Sequence, residues 1–170
     1  MYDKKIANAV ICFLDNKNRC YSFDEEHGII QFKDEMDIDY YIEILMDCYL
    51  TYAIFPIKVP NNVTNKMAEL ITRLNENLVC GNFELKMNDR KFNGRNNGII
   101  AYKCYVSCKD DAVPTSGIIG ESISIPGKML RKYASGICGS LLLDKDPAEL
   151  VDLCEQEPAK IRHILEDIVC

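Results

Sequence analysis

The sequence predicts an α+β fold: an antiparallel sheet of about five strands with helices packed on one face, in the order α-β-β-β-α-β-β-α with further helices at the C-terminus. Three observations predict it. Between Tyr40 and Cys108, two strand-like segments, one amphipathic helix and two more strand-like segments follow one another. Period-two alternation marks the strand segments and 3.6-residue spacing the helical ones, so the two kinds separate cleanly. With 48% apolar and 27% charged residues in 170, the chain can bury a core without help from disulfides or metal.

Ile6, Val10, Ile11 and Leu14 recur at helical spacing and Asn16 to Asn18 is a turn, which places a first helix ending near Asp15. Cys20 to Phe23 and Ile29 to Lys33 form a short strand pair around Asp24-Glu25-Glu26-His27-Gly28. Tyr40, Ile42, Ile44 and Met46 alternate with Tyr41, Glu43, Leu45 and Asp47, the pattern of a half-buried strand. Leu50 to Val59 is apolar on both faces, a central strand interrupted by Pro56 and Pro60. Asn61-Asn62 caps a helix with Val63, Met67, Leu70, Ile71, Leu74 and Leu78 on one stripe, stopped by Gly81. Phe83, Leu85 and Met87 alternate with Glu84 and Lys86. Ile100, Tyr102, Cys104, Val106 and Cys108 alternate with Ala101, Lys103 and Tyr105, giving two antiparallel strands. A helix is expected from Pro126, in its first turn, to about Leu143, with Leu130, Tyr133, Ile137 and Leu141 inward. Asp146-Pro147-Ala148-Glu149 is a helix start, and Ile161, Ile164, Leu165, Ile168 and Val169 keep helical spacing to the end.

At Arg73-Leu74-Asn75-Glu76-Asn77, then Gly81-Asn82-Phe83-Glu84-Leu85 and the strand from Ile100 to Val106, with Val59-Pro60 before the helix, the chain resembles the YbjN family. That family is described as candidate bacterial sensory transduction regulators, and its fold is similar to that of type III secretion chaperones. The resemblance runs from about residue 20 to residue 143. It implies a small homodimeric binding protein and brings no catalytic residues with it. Residues 1–145 are read as one domain of this kind and 146–170 as a helical appendage packed on it.

Charge and cysteine usage narrow the function further. A net charge of −6 and a pI near 5.0 oppose attraction to nucleic acid or anionic lipid, and no run of about 18 apolar residues offers a membrane span. The first residues are too polar for a signal peptide. Nine cysteines, an odd number spread over strands and helices, read as reduced thiols of a cytoplasmic protein.

Each chemical pattern has a plainer structural reading. Cys104 and Cys108 fall on one face of a strand about 13 Å apart, too far to share an ion, so they read as core residues. The two histidines, His27 and His163, lie far apart in the chain, and His27 sits in a turn. The carboxylate groups at Asp24/Glu25/Glu26, Asp34/Glu35/Asp37/Asp39 and Asp110/Asp111 fall in turns, where solvation accounts for them. A calcium loop from Asp34 is excluded, because Met36, Ile38 and Leu45 stand where oxygen ligands are needed and Asp39 where glycine is needed. Two features suit contact with a partner. The loop from Asn88 to Lys103 carries Arg90, Lys91, Arg95 and Lys103 against Asp89, with Phe92 as its aromatic, which suits phosphate or an acidic partner as well as a solubilising tip. Gly136 and Gly139, beside Ser135 and Ser140, form a small-residue surface within a helix. It suits close approach by the C-terminal helix or by the matching helix of a second copy.

The expected protein is therefore non-enzymatic, without cofactor or metal, and binds another polypeptide through its sheet or through the groove between sheet and helices. A secretion-type chaperone holding an extended client, and a thiol-dependent enzyme, are the alternatives.

Overall fold

Asp3 begins the first helix: its carboxylate accepts hydrogen bonds from the amides of Lys5 and Ile6 at 2.6 and 3.3 Å. Helix α1 spans Lys4–Asn16 and buries Ile6, Ala7, Val10 and Leu14, the stripe that its spacing predicts. In this computed structural model, which describes residues 1–76, 78–87, 97–110, 112–143 and 145–155, four strands follow. They are β1 (Tyr21–Asp24), β2 (Ile29–Lys33), β3 (Asp39–Ile44) and β4 (Cys48–Ile54). After a 3₁₀ turn at Asn61–Val63 come α2 (Thr64–Asn75), β5 (Asn82–Met87), β6 (Gly98–Ser107), α3 (Ser116–Leu142) and α4 (Pro147–Glu155). The sheet is antiparallel and open, with strand order β1-β2-β3-β4-β6-β5.

Turn chemistry explains the hairpins. The Asp24 carboxylate accepts from the amides of Glu26 and His27, and Gly28 closes the β1–β2 turn at φ +70°, a conformation that glycine adopts without strain. Asp34 does the same for Met36 and Ile38 between β2 and β3. Asp24 and Asp34 lie in turns, where their sequence context places them, and beyond the solvation expected there they also bind the backbone.

Four boundaries differ from the sequence expectation. Four strands precede α2, at the four segments whose pattern predicts strands, one more than the predicted order counts, and the sheet has six strands. β3 ends at Ile44, because a tight turn closed by Leu45 N–H to Cys48 O at 2.9 Å leaves Leu45 and Met46 exposed. β4 stops at Ile54, before Pro56, and Val59 rejoins the ladder only as an isolated bridge to Gly98. α2 ends at Asn75 and not near Gly81, since the Asn75 side chain turns to bind the backbone of Phe83.

The largest correction concerns α3, which starts at Ser116 and carries Pro126 in its interior, buried, and not in its first turn. Proline there forfeits one backbone hydrogen bond. Burial offsets that cost: Ile119, Ile123, Leu130, Tyr133 and Ile137 are all buried along one heptad-spaced stripe that runs through the proline. Ile119 N–H to Thr115 O at 3.0 Å starts the helix.

The chain forms two compact units. The first comprises residues 1–56, 79–82 and 101–129, and the second residues 57–78, 83–100 and 130–170. In the first, α1, the sheet from β1 to β4, most of β6 and the start of α3 enclose Val10, Leu14, Ile30, Ile42, Tyr49 and Ile119. One deep polar contact in it joins the Tyr49 hydroxyl and Ser122 Oγ, 3.0 Å apart, alongside others. Ser122 donates its own proton to Ile119 O at 2.8 Å, which makes Tyr49 the donor. In the second, α2 packs against α4, burying Met67, Leu70, Ile71, Leu74, Leu150 and Cys154, while Phe83 meets Tyr133 edge-on at 5.5 Å.

Candidate binding groove

Arg90, Lys91, Phe92 and Arg95 lie outside the described residues, as do His163, Cys170 and the apolar positions from Ile161 onward. Gly136 and Gly139 are described and lie against α4. A Cβ at Gly136 would stand 2.5 Å from Cys154 Sγ and 3.3 Å from Leu150 O, and one at Gly139 would stand 2.6 Å from Leu150 Cδ2. The helix that their small size admits is therefore one from the same chain. Ser140, next to them, is 1% exposed, and its hydroxyl has no partner among the described residues.

A different surface gathers exposed apolar groups. Within the first unit, a groove of about 500 Å³ is lined by the 79–82 segment, by residues 103–106 of β6, and by Ile118, Glu121, Ser122 and Ile125 of α3. Val79 is 97% exposed and Ile118 45%, so two large apolar side chains open to solvent at this groove, while Tyr105 borders it from β6 with its side chain on the opposite face of the sheet. Local rules create each wall. Gly81, at φ +80°, turns the chain just before β5, in a position where any Cβ would strike the Lys103 carbonyl. The Tyr102 hydroxyl donates to the Cys80 carbonyl and pins that turn to β6. Ile118 follows the Thr115 cap of α3 and falls off its buried stripe.

Cross-strand register sets a second apolar surface on the other face of the sheet. Tyr41 pairs with Tyr52 and Leu50 with Tyr105, which sets these four side chains on one face, opposite Tyr49 and Thr51. Tyr52 is buried, Tyr41 and Leu50 are half-buried and Tyr105 is exposed. Burial, and secondarily the Asp39 charge, raises the Tyr41 hydroxyl above its ordinary range.

Two thiols line this groove, Cys80 exposed and Cys104 buried. Cys104 forms part of its floor, and burial, with a lesser effect from Cys80, pushes that thiol up to about 11. Burial likewise raises Cys48, Cys108, Cys138 and Cys154. Buried thiols of this kind are poor nucleophiles, because the reactive species is the thiolate. His27 is exposed in its turn, bound through Nδ1 to Asp24 Oδ2 at 2.8 Å, and that hydrogen bond holds the Asp24 carboxyl below its usual range. Among the described residues, no group of three or more His, Cys, Asp or Glu side chains is placed to hold a metal ion. No helix among them is long and apolar enough to cross a membrane. The groove offers apolar contact, one cation at Lys103 and one anion at Glu121.

Sequence reasoning placed Tyr105 on a strand, alternating with Cys104 and Val106, but left Val79 and Ile118 unassigned. The signal for Ile118 was present, as an exposed neighbour of the heptad stripe that begins at Ile119, but the glycines and serines around it hid the helix.

No family model matches this chain, and no curated protein sequence matches it. Its structure is similar to the crystal structure of YbjN from E. coli, described as a candidate transcription regulator, with a TM-score of 0.58 over 80% of this chain and 88% of that one. The two sequences are 12% identical, so what they share is the α+β fold.

Proposed function

We propose that this chain is a non-catalytic polypeptide-binding module of a regulatory kind, and that the groove between β6 and α3 receives the partner. The convergence of Val79 and Ile118 on one groove carries the reading, since apolar side chains clustered in the open mark interaction surfaces while scattered ones do not. Two further observations support it. The buried thiols lack the electropositive, exposed setting that a thiol-dependent enzyme needs. The fold shared with YbjN adds a hint of the same class of role at the level of fold. A cytoplasmic setting, and a homodimer as the family resemblance implies, belong to the same proposal.

The test compares proteins captured from the source cell by the unmodified chain, by Ile118→Glu, and by Met36→Glu. Ile118 lines the groove; Met36 is 64% exposed and does not line it. A partner retained by Met36→Glu and lost by Ile118→Glu is the expected result. Identical partner sets for all three would refute the groove.

A further inference from the structure

We infer that the groove takes its partner as an added β-strand, hydrogen-bonded to the free edge of β6 at Tyr105 and Ser107. The inference rests on the groove reading and names the conformation and pattern of what binds there.

Backbone parity carries it. In a strand, the N–H and C=O of one residue point to the same side and successive residues alternate. Cys108, directly after β6, donates its N–H to Asp47 O at 2.7 Å, on the β4 side. Counting back, Val106 also faces β4, while Tyr105 and Ser107 point their N–H and C=O the other way. A second observation fixes the same parity: the Lys103 carbonyl, two residues before Tyr105, lies against the Cβ position of Gly81, on the side away from β4.

On that side β6 outruns its neighbour. β5 begins at Asn82, and at Gly81 the chain turns off, whereas β6 continues to Ser107. Tyr105 and Ser107 are both exposed, Tyr105 lines the groove, and no further strand among the described residues pairs with them on that side. Such a margin is a template for strand addition.

The occupant follows from its chemistry. A helix satisfies its own backbone and would leave the donors and acceptors of Tyr105 and Ser107 to water. An extended segment can pair with both while its alternate side chains enter the groove against Val106, Ile118 and Ile125. The partner segment is therefore extended, about four residues long at 3.3 Å per residue, with apolar residues at every second position.

The test selects binders from a random short-peptide library on the full-length chain and follows amide hydrogen exchange with the selected peptide bound. Slower exchange at Tyr105 and Ser107 is expected, in peptides with period-two apolar spacing. Ser107→Pro removes one outward N–H without touching the β4 ladder, and should weaken binding about tenfold while Ser107→Ala leaves it unchanged. Binding that is lost in Ile118→Glu but indifferent to Ser107→Pro, without slower exchange at the edge, would overturn strand addition and leave the groove standing. Selected peptides with helical apolar spacing, or a doubling of mass in place of peptide capture, would overturn it equally. Should no selected peptide respond to Ile118→Glu, the groove reading itself fails. If Ser107→Pro lowers the melting temperature, exchange in the unmodified chain decides alone.

Discussion

Alanine at Gly136 probes the contact between α3 and α4 most directly. The new methyl would stand 2.5 Å from Cys154 Sγ and 3.3 Å from the Leu150 carbonyl. Non-bonded carbon contacts settle at about 3.5–4.0 Å, so the methyl intrudes by about an ångström and either Cys154 must rotate or α4 must shift. Overpacking of this kind costs about 1–3 kcal/mol, against about 1 kcal/mol gained by replacing a helical glycine with alanine. The net expectation is a loss of about 1 kcal/mol, or about 3 °C in melting temperature for a chain of this length. Cys154→Ala alone, which empties a site that is 2% exposed, should also cost about 1 kcal/mol. In the double variant the added methyl occupies the space that the sulfur leaves, so the pair should be less destabilised than the sum by about 1–2 kcal/mol. Gly139→Ala meets only the side chain of Leu150, whose nearest atom is a terminal methyl at 2.6 Å, and should fall nearer the parent. Thermal and urea unfolding supply the cycle, and light scattering supplies the mass. A gain in melting temperature for Gly136→Ala together with an additive cycle would refute the α3–α4 contact. A change in mass would place a second copy at the glycines instead.

The remaining predictions concern Asn75 and the buried ionisable groups. The Asn75 carboxamide pairs with both the N–H and the C=O of Phe83 at 2.8 and 3.0 Å, the pattern that a neighbouring strand would offer to β5. Asn75→Ala should cost about 2 kcal/mol by stranding two part-buried backbone groups, measured by urea unfolding. Asn75→Asp should be as unstable at neutral pH and recover on acidification, because only the protonated acid can donate to the Phe83 carbonyl; a flat pH profile would count against the pairing. Burial holds the Cys104 thiol at about 11 and the Tyr49 hydroxyl at about 12, above their ordinary 9.0 and 10.0. Both are raised in the folded state, so their contribution is complete below about pH 9 and is lost as pH rises through 9 to 12, on the order of 2 kcal/mol for each. Tyrosine absorbance should show Tyr49 ionising last and together with unfolding. In native protein Cys12, Cys20 and Cys80 should alkylate, and Cys48, Cys104, Cys108 and Cys154 only on unfolding. One fast thiol among those four would revive an enzymatic role.

Local pattern carried much of the fold. The Ile6/Val10/Leu14 stripe, the alternation at Tyr40/Ile42/Ile44, the Asp146 cap on α4 and the turn carboxylates of Asp24 and Asp34 each depend on neighbours a few residues away, and propensity and periodicity report such neighbours directly. The sequence also marked Gly136 and Gly139 as places where another backbone comes close, since glycine inside a helix costs stability without a compensating contact. Which backbone comes close was settled only in three dimensions, when Leu150 and Cys154 met the two glycines. The first ten residues of α3 were hidden for the opposite reason. Gly117, Gly120, Ser122 and Ser124 argue locally against helix and Pro126 mimics a helix start, yet burial of Ile119 and Ile123 outweighs them. The groove was least legible of all. Val79, Val106 and Ile118 belong to three segments with no common period, and they line one groove because β6 outruns β5 and α3 begins early. Strand pairing and helix burial are long-range effects, and the length by which one strand exceeds its neighbour is written in neither strand alone.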